Sequence, residues 1–171
     1  MTIRQTGIIG LLVASLVLIA CGQGAEPEPL GVVVELDPPS IQAGAGEEIV
    51  ITVRVDPKDE GISGGEINLA FDPNILTVVG LEPGGLFGPT PLVGAELVDA
   101  EAGTLTYALA RIGATSPHTP AGAFARITFE IADAAPEGRH ELAITRMGLA
   151  NEVFQDILEI DLQSAVITVG R

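Results

Sequence analysis

From Val32 onward, apolar side chains recur at every second position, and each run is soon cut short by glycine, proline or aspartate. In "EIVITVRVD", Ile49, Ile51, Val53 and Val55 share one face, while Val50, Thr52 and Arg54 share the other. Ile67, Leu69 and Phe71 alternate with Glu66, Asn68 and Ala70, and Ala125, Ile127, Phe129 and Ile131 alternate with Arg126, Thr128 and Glu130. Leu105, Tyr107 and Leu109 alternate with small residues. A period of two sets one face of each segment on a core and the other in solvent. Breaks such as "DPPS", "AGAGEE", "DPKDEG", "FDPN", "EPGG" and "DAAPEG" separate the runs. Many short alternating strands with such punctuation predict an all-β antiparallel sandwich and almost no helix, with one helical turn possible at "GGLFG".

Nine strands are expected, near 32–37, 47–56, 64–72, 75–82, 92–99, 103–111, 122–132, 138–147 and 157–169, the last of them open to being split. The expected core contains Ile51, Val53, Ile67, Leu69, Phe71, Leu76, Val78, Leu109, Ile127, Phe129, Leu142, Ile144 and Ile167. Pro73 cannot donate to a ladder, so the strand through Phe71 must end at Asp72, and Leu76 and Val78 return apolar side chains to the core after the corner.

Residues 1–20 stand outside this pattern. Arg4 and the apolar run "GIIGLLVASLVLIA" have the proportions of a signal peptide, and Leu18-Ile19-Ala20-Cys21 resembles a bacterial lipobox. Cys21 is the one cysteine in the chain. Its expected fate is lipidation after cleavage, which leaves no thiol for a disulfide, a metal site or a nucleophile. Residues 21–31, rich in glycine, proline and glutamate, read as a flexible tether, and 32–171 as the folded domain. The expected location is the cell membrane or outer membrane, facing outside the cytoplasm, with the lipid as the one contact with the bilayer.

Without Arg4 the chain keeps seven basic residues against 23 acidic ones, a formal charge of −16. A surface that acidic repels nucleic acid and anionic headgroups. No catalytic or metal set stands out. His118 and His140 have no second histidine at metal-binding spacing, no serine occupies a G-x-S-x-G elbow, and the carboxylates are explained by an acidic surface. "DPKDEG" and "DAEAG" could hold calcium weakly but read better as solvated turns, and no EF-hand loop is present. With no Trp and one Tyr, an aromatic sugar platform is disfavoured.

Four segments resemble the cohesin domain, in that family's order. "GISGGEINLAFDPNILTVVGLEPGGLF" resembles its third and fourth strands with their aromatic-Asp-Pro corner. "GTLTYALARIGATS" resembles the strand before its long loop, "PAGAFARITFEIADAAPEG" its G-x-F-A-x-I strand, and "LANEVFQDILEIDLQSAVITVG" its closing segment. The resemblance implies a nine-stranded jelly-roll sandwich acting as receptor for a dockerin, a calcium-loaded module on another protein such as a polysaccharide-degrading enzyme. Calcium then belongs to the partner, and this chain needs no cofactor, does no chemistry of its own and is expected to be a monomer. Carried over by position, the partner-binding face takes Gly64, Glu66 and Asn68 from one strand, Ala108 and Arg111 from a second, and Val153 and Gln155 from the closing segment. Gly64, Glu66, Ala108 and Arg111 depart from the residues of well-known members, which leaves the partner's identity open. The alternatives are a structural or adhesive surface lipoprotein without a dockerin, and a carbohydrate-binding module.

Overall fold

The computed structural model describes residues 31–116 and 118–170. They form eleven strands: β1 Val32–Asp37, β2 Ser40–Ala43, β3 Glu48–Asp56, β4 Ile62–Ala70, β5 Leu76–Pro83, β6 Leu92–Asp99, β7 Thr104–Ala110, β8 Gly122–Ile131, β9 Gly138–Asn151, β10 Ile160–Gln163 and β11 Ala165–Val169. One sheet has the order β10-β1-β3-β8-β5, the other β2-β11-β9-β4-β7-β6. No helix occurs among the described residues. "GGLFG" makes a single turn, Gly88 N donating to Gly85 O at 3.0 Å.

The sandwich closes on itself at its termini. At Pro38-Pro39 the chain steps from one sheet to the other, so β1 pairs with β10 and β2 with β11, both in parallel. The expected count of nine therefore becomes eleven. Two residues of spacing between β1 and β2 hide a four-residue strand inside what reads as a turn, and Ser164 divides the last strand. The pairing is otherwise antiparallel.

The inner faces of both sheets merge into one apolar core. Ile51, Val53, Ile67, Ile127, Phe129, Leu142 and Ile167 are wholly buried, and Phe71 meets Phe129 edge-on at 5.6 Å between centroids. Of the thirteen expected core residues, Val78 alone is only partly buried. It lies on the edge strand β5 beside a bulge between Val78 and Gly80, which loosens the alternation there.

The Asp-Pro corner is built as expected. Asp72 Oδ1 accepts from the backbone N–H of Asn74 at 2.9 Å, and Ile75 and Leu76 donate to Asp72 O. The "DAEAG" turn completes the corner: Phe71 N donates to Gly103 O at 2.9 Å, and Gly103 sits at φ 66°. Residues 1–30, which include the segment expected to be a signal peptide, Cys21 and nearly all of the expected tether, lie outside the described residues.

Candidate partner-binding face

The outer face of the six-stranded sheet is set by register. Asn68 stands between Thr106 on β7 and Arg146 on β9, Glu66 between Ala108 and Gly148, and Gly64 between Ala110 and Ala150. On the far side of β7, β6 adds Leu97 opposite Thr106, Ala95 opposite Ala108 and Leu92 opposite Ala110.

Two features of the face follow from side-chain size and charge. The first is a polar strip crossing three strands. Arg146 Nη1 lies 3.2 Å from Glu66 Oε1, Asn68 Nδ2 donates to the same oxygen at 3.2 Å, and Thr106 Oγ1 donates to Asn68 Oδ1 at 2.9 Å. The second is a floor of small residues, Gly64, Ala110 and Ala150 in one row and Ala108 and Gly148 on either side of Glu66, whose own side chains add at most a methyl group. A shallow depression of about 300 Å³ lies there, lined by Gly64, Glu66, Arg146, Gly148, Ala150 and Asp156 among others. Leu92 and Leu97 stand exposed along β6 at one side.

Arg146 reaches this face through an irregularity in β9. Strict alternation from Leu142 and Ile144 would turn Arg146 inward. The register shifts by one residue at Thr145, between the pairs Leu69–Ile144 and Asn68–Arg146. Met147 and Leu149 then take the buried positions, while Arg146 and Gly148 face outward. Arg146, Gly148 and Ala150 are thus members of the face that the sequence reading did not include. The expected strand ended at 147, and a bulge leaves no trace in composition; the signal available was the switch of apolar parity between Ile144 and Met147.

Gly64, Glu66, Asn68 and Ala108 come together on this face. Val153 and Gln155 sit exposed on the turn that follows β9, at the end of the face rather than on it. Arg111 lies past the end of β7 and is engaged inward. Its N–H donates to Ser63 O at 2.8 Å, its Nη2 donates to Leu86 O at 2.9 Å, and its guanidinium lies 5.9 Å from the Phe87 ring centre. Arg111 therefore braces the 84–88 turn.

The carboxylates of two acidic turns serve those turns. Asp99 Oδ1 accepts from Glu101 N and Ala102 N, and Asp56 is paired with Lys58 at 2.9 Å. Among the described residues, no three His, Cys, Asp or Glu side chains converge into a metal site. Tyr107 is 1% exposed and faces Phe124 in the core, so it offers no surface ring. Burial, and secondarily the Glu96 charge, raise its phenol pKa above the usual value.

The cohesin domain model matches residues 34–157, from β1 past the end of β9. The chain belongs to the cohesin domain family. Of the curated proteins, this cohesin is similar to the cellulosomal-scaffolding protein A of Acetivibrio thermocellus, at 27% identity over 121 residues. That stretch is 68% of this chain and 6% of the scaffolding protein, so the chain spans a small part of that relative's length. Its fold is similar to that of the seventh ScaB type I cohesin of Pseudobacteroides cellulosolvens (TM-score 0.67, 17% identity, covering 82% of this chain and 92% of that one). It is also similar to the sixth cohesin of scaffoldin B of Acetivibrio cellulolyticus, solved in complex with a dockerin (TM-score 0.67, 16% identity, 82% and 99%). A non-cellulosomal cohesin of the archaeon Archaeoglobus fulgidus shares the architecture too (TM-score 0.63, 12% identity, 82% and 91%). At these identities the likeness to the solved structures concerns the fold alone.

Proposed function

We propose that this cohesin is a non-enzymatic receptor that binds a dockerin-type protein module through the outer face of β9, β4, β7 and β6. The observation that carries the reading is the composition of that face within a cohesin fold: a flat Gly/Ala floor beside a fixed polar strip. A floor of small residues lets a helix approach closely, and a charge-assisted strip gives it orientation. The related cohesin from Acetivibrio cellulolyticus was solved with a dockerin, which supports the same class of partner here. Calcium belongs to the partner's loops. Cys21 is proposed as the lipidated N-terminus that holds the domain outside the cytoplasmic membrane, and the recruited protein as a polysaccharide-degrading enzyme.

Calorimetry against calcium-loaded dockerins encoded in the same genome tests the receptor reading. Saturable binding that is lost with EDTA supports it. Binding to none of them contradicts it and favours the structural or adhesive alternative. A glycan array tests the carbohydrate alternative, and globomycin-sensitive processing that depends on Cys21 tests the anchor.

A further inference from the structure

Six aromatic rings occur in the chain, and five are buried: Phe71, Phe87, Phe124, Phe129 and Tyr107. The sixth, Phe154, is 81% exposed and has φ 63°. A left-handed backbone is disfavoured for a bulky side chain, and an exposed phenyl ring gains nothing from the core. Glycine or asparagine would serve the turn better on both counts.

The turn is nevertheless held firmly. Asn151 Oδ1 accepts from Val153 N at 3.0 Å and from Gln155 N at 2.9 Å. Asn151 N donates to Gln155 O, and Phe154 N donates to Asn151 O. Ser63 Oγ donates to Asn151 O at 2.6 Å, tying the turn to β4. Ala150 bridges Asp156, and Asp156 lines the depression beside Gly64 and Glu66, so the turn grows directly out of the proposed binding face.

The surrounding charge is one-sided. From 147 to 170 the chain contains no Lys or Arg, while Glu152, Asp156 and Glu159, near Phe154 in sequence, are exposed. The flanking bases Arg146 and Lys58 are paired with Glu66 and Asp56.

We infer that Phe154 is a preorganised anchor that inserts into an apolar socket with a basic rim on the partner module, and that Asn151 is the positioning residue that presents it. The inference rests on the dockerin-receptor reading and adds the chemistry of the partner's contact. Holding the ring in place before binding removes an ordering cost that a mobile loop would carry. A single buried aromatic of this kind typically dominates an interface, and the acidic surround favours encounter with a basic rim.

The experiment is calorimetry and stopped-flow association of the full chain with its genome's calcium-loaded dockerins, using Phe154→Gly, Phe154→Leu, Asn151→Ala and Asn151→Asp. Phe154→Gly is expected to weaken binding about 30-fold or more, with a melting temperature equal to or above that of the unmodified chain because the strained φ is relieved. Phe154→Leu retains most of the affinity. Asn151→Ala loses affinity and Asn151→Asp, which keeps the acceptor oxygen, restores it. Association slows as salt is added. Unchanged affinity in Phe154→Gly overturns the anchor while leaving the face reading intact. Failure of the unmodified chain to bind any dockerin overturns both.

Discussion

Glu66 on β4 and Arg146 on β9 are joined across the outer sheet face at 3.2 Å, and the same carboxylate oxygen accepts from Asn68. The acid expected to greet a partner is therefore neutralised within the domain, and what the face presents is an oriented polar strip. Both side chains are largely solvated, at 40% and 69% exposure, so the pair contributes little to folding. A double-mutant cycle on Glu66→Ala and Arg146→Ala, read by urea unfolding, is expected to give a coupling below about 1 kcal/mol. The same substitutions affect partner binding more than they affect stability.

Phe129 is wholly buried and packs edge-on against Phe71. Phe129→Ala is expected to cost about 3–5 kcal/mol, through lost transfer energy and the cavity left behind. Denaturant unfolding measures it. A loss under about 1 kcal/mol would place the ring outside a packed core.

Much of this was legible in the sequence. The alternation of β3 and β8 put Ile51, Val53, Ile127 and Phe129 in the core because a regular ladder preserves parity over its length. Parity fails where a bulge intervenes, which is why Arg146 and Gly148 were missed and why Val78 is less buried than expected. Gly64, Glu66, Asn68 and Ala108 were placed on one face by alternation and by resemblance. The inward engagement of Arg111 depends on where the 84–88 turn folds, a tertiary contact with no local signature. The exposure of Phe154 depends likewise on a turn conformation that its residue type argues against.

Gly103 shows the same limit from the other side. "DAEAG" reads as a solvated turn, yet a Cβ on Gly103 would meet Phe71 O and come within 2.8 Å of Pro73 Cδ, at φ 66°. Gly103→Ala is expected to destabilise the domain by more than about 1 kcal/mol, since both strain and a backbone clash oppose it. The melting temperature reports it, and an unchanged value would contradict the corner described here.

Thr119 is buried between β7 and β8 in the chain order, where its Oγ1 accepts from Ile62 N at 2.8 Å. Thr119→Val leaves that buried N–H without a partner and is expected to cost about 1–3 kcal/mol, whereas Thr119→Ser keeps the acceptor and costs less. Equal losses in the two variants would mean that packing, and not the hydrogen bond, holds Thr119.

The Asn74 backbone N–H, and then its side-chain amide, hold the Asp72 carboxyl below its usual pKa of 3.8. A depressed folded-state value stabilises the protein above the unfolded pKa and ceases to do so as pH falls through the folded one. Asp72→Ala is therefore expected to lower the melting temperature at pH 7, with the gap from the unmodified chain narrowing below pH 3.8. A gap that widens in acid would contradict the assignment.

The central claim is that the outer face of the six-stranded sheet, and not its counterpart, takes the partner. Ala108 lies mid-floor between Glu66 and Ala95, while Val50 is half-exposed on the outer face of the other sheet. Calorimetric titration of a cognate calcium-loaded dockerin into the Ala108→Arg and Val50→Arg variants compares the two faces under equal charge and bulk. The account predicts that Ala108→Arg abolishes measurable binding and Val50→Arg binds as the unmodified chain does. Binding that survives Ala108→Arg, or is lost in Val50→Arg, would contradict it.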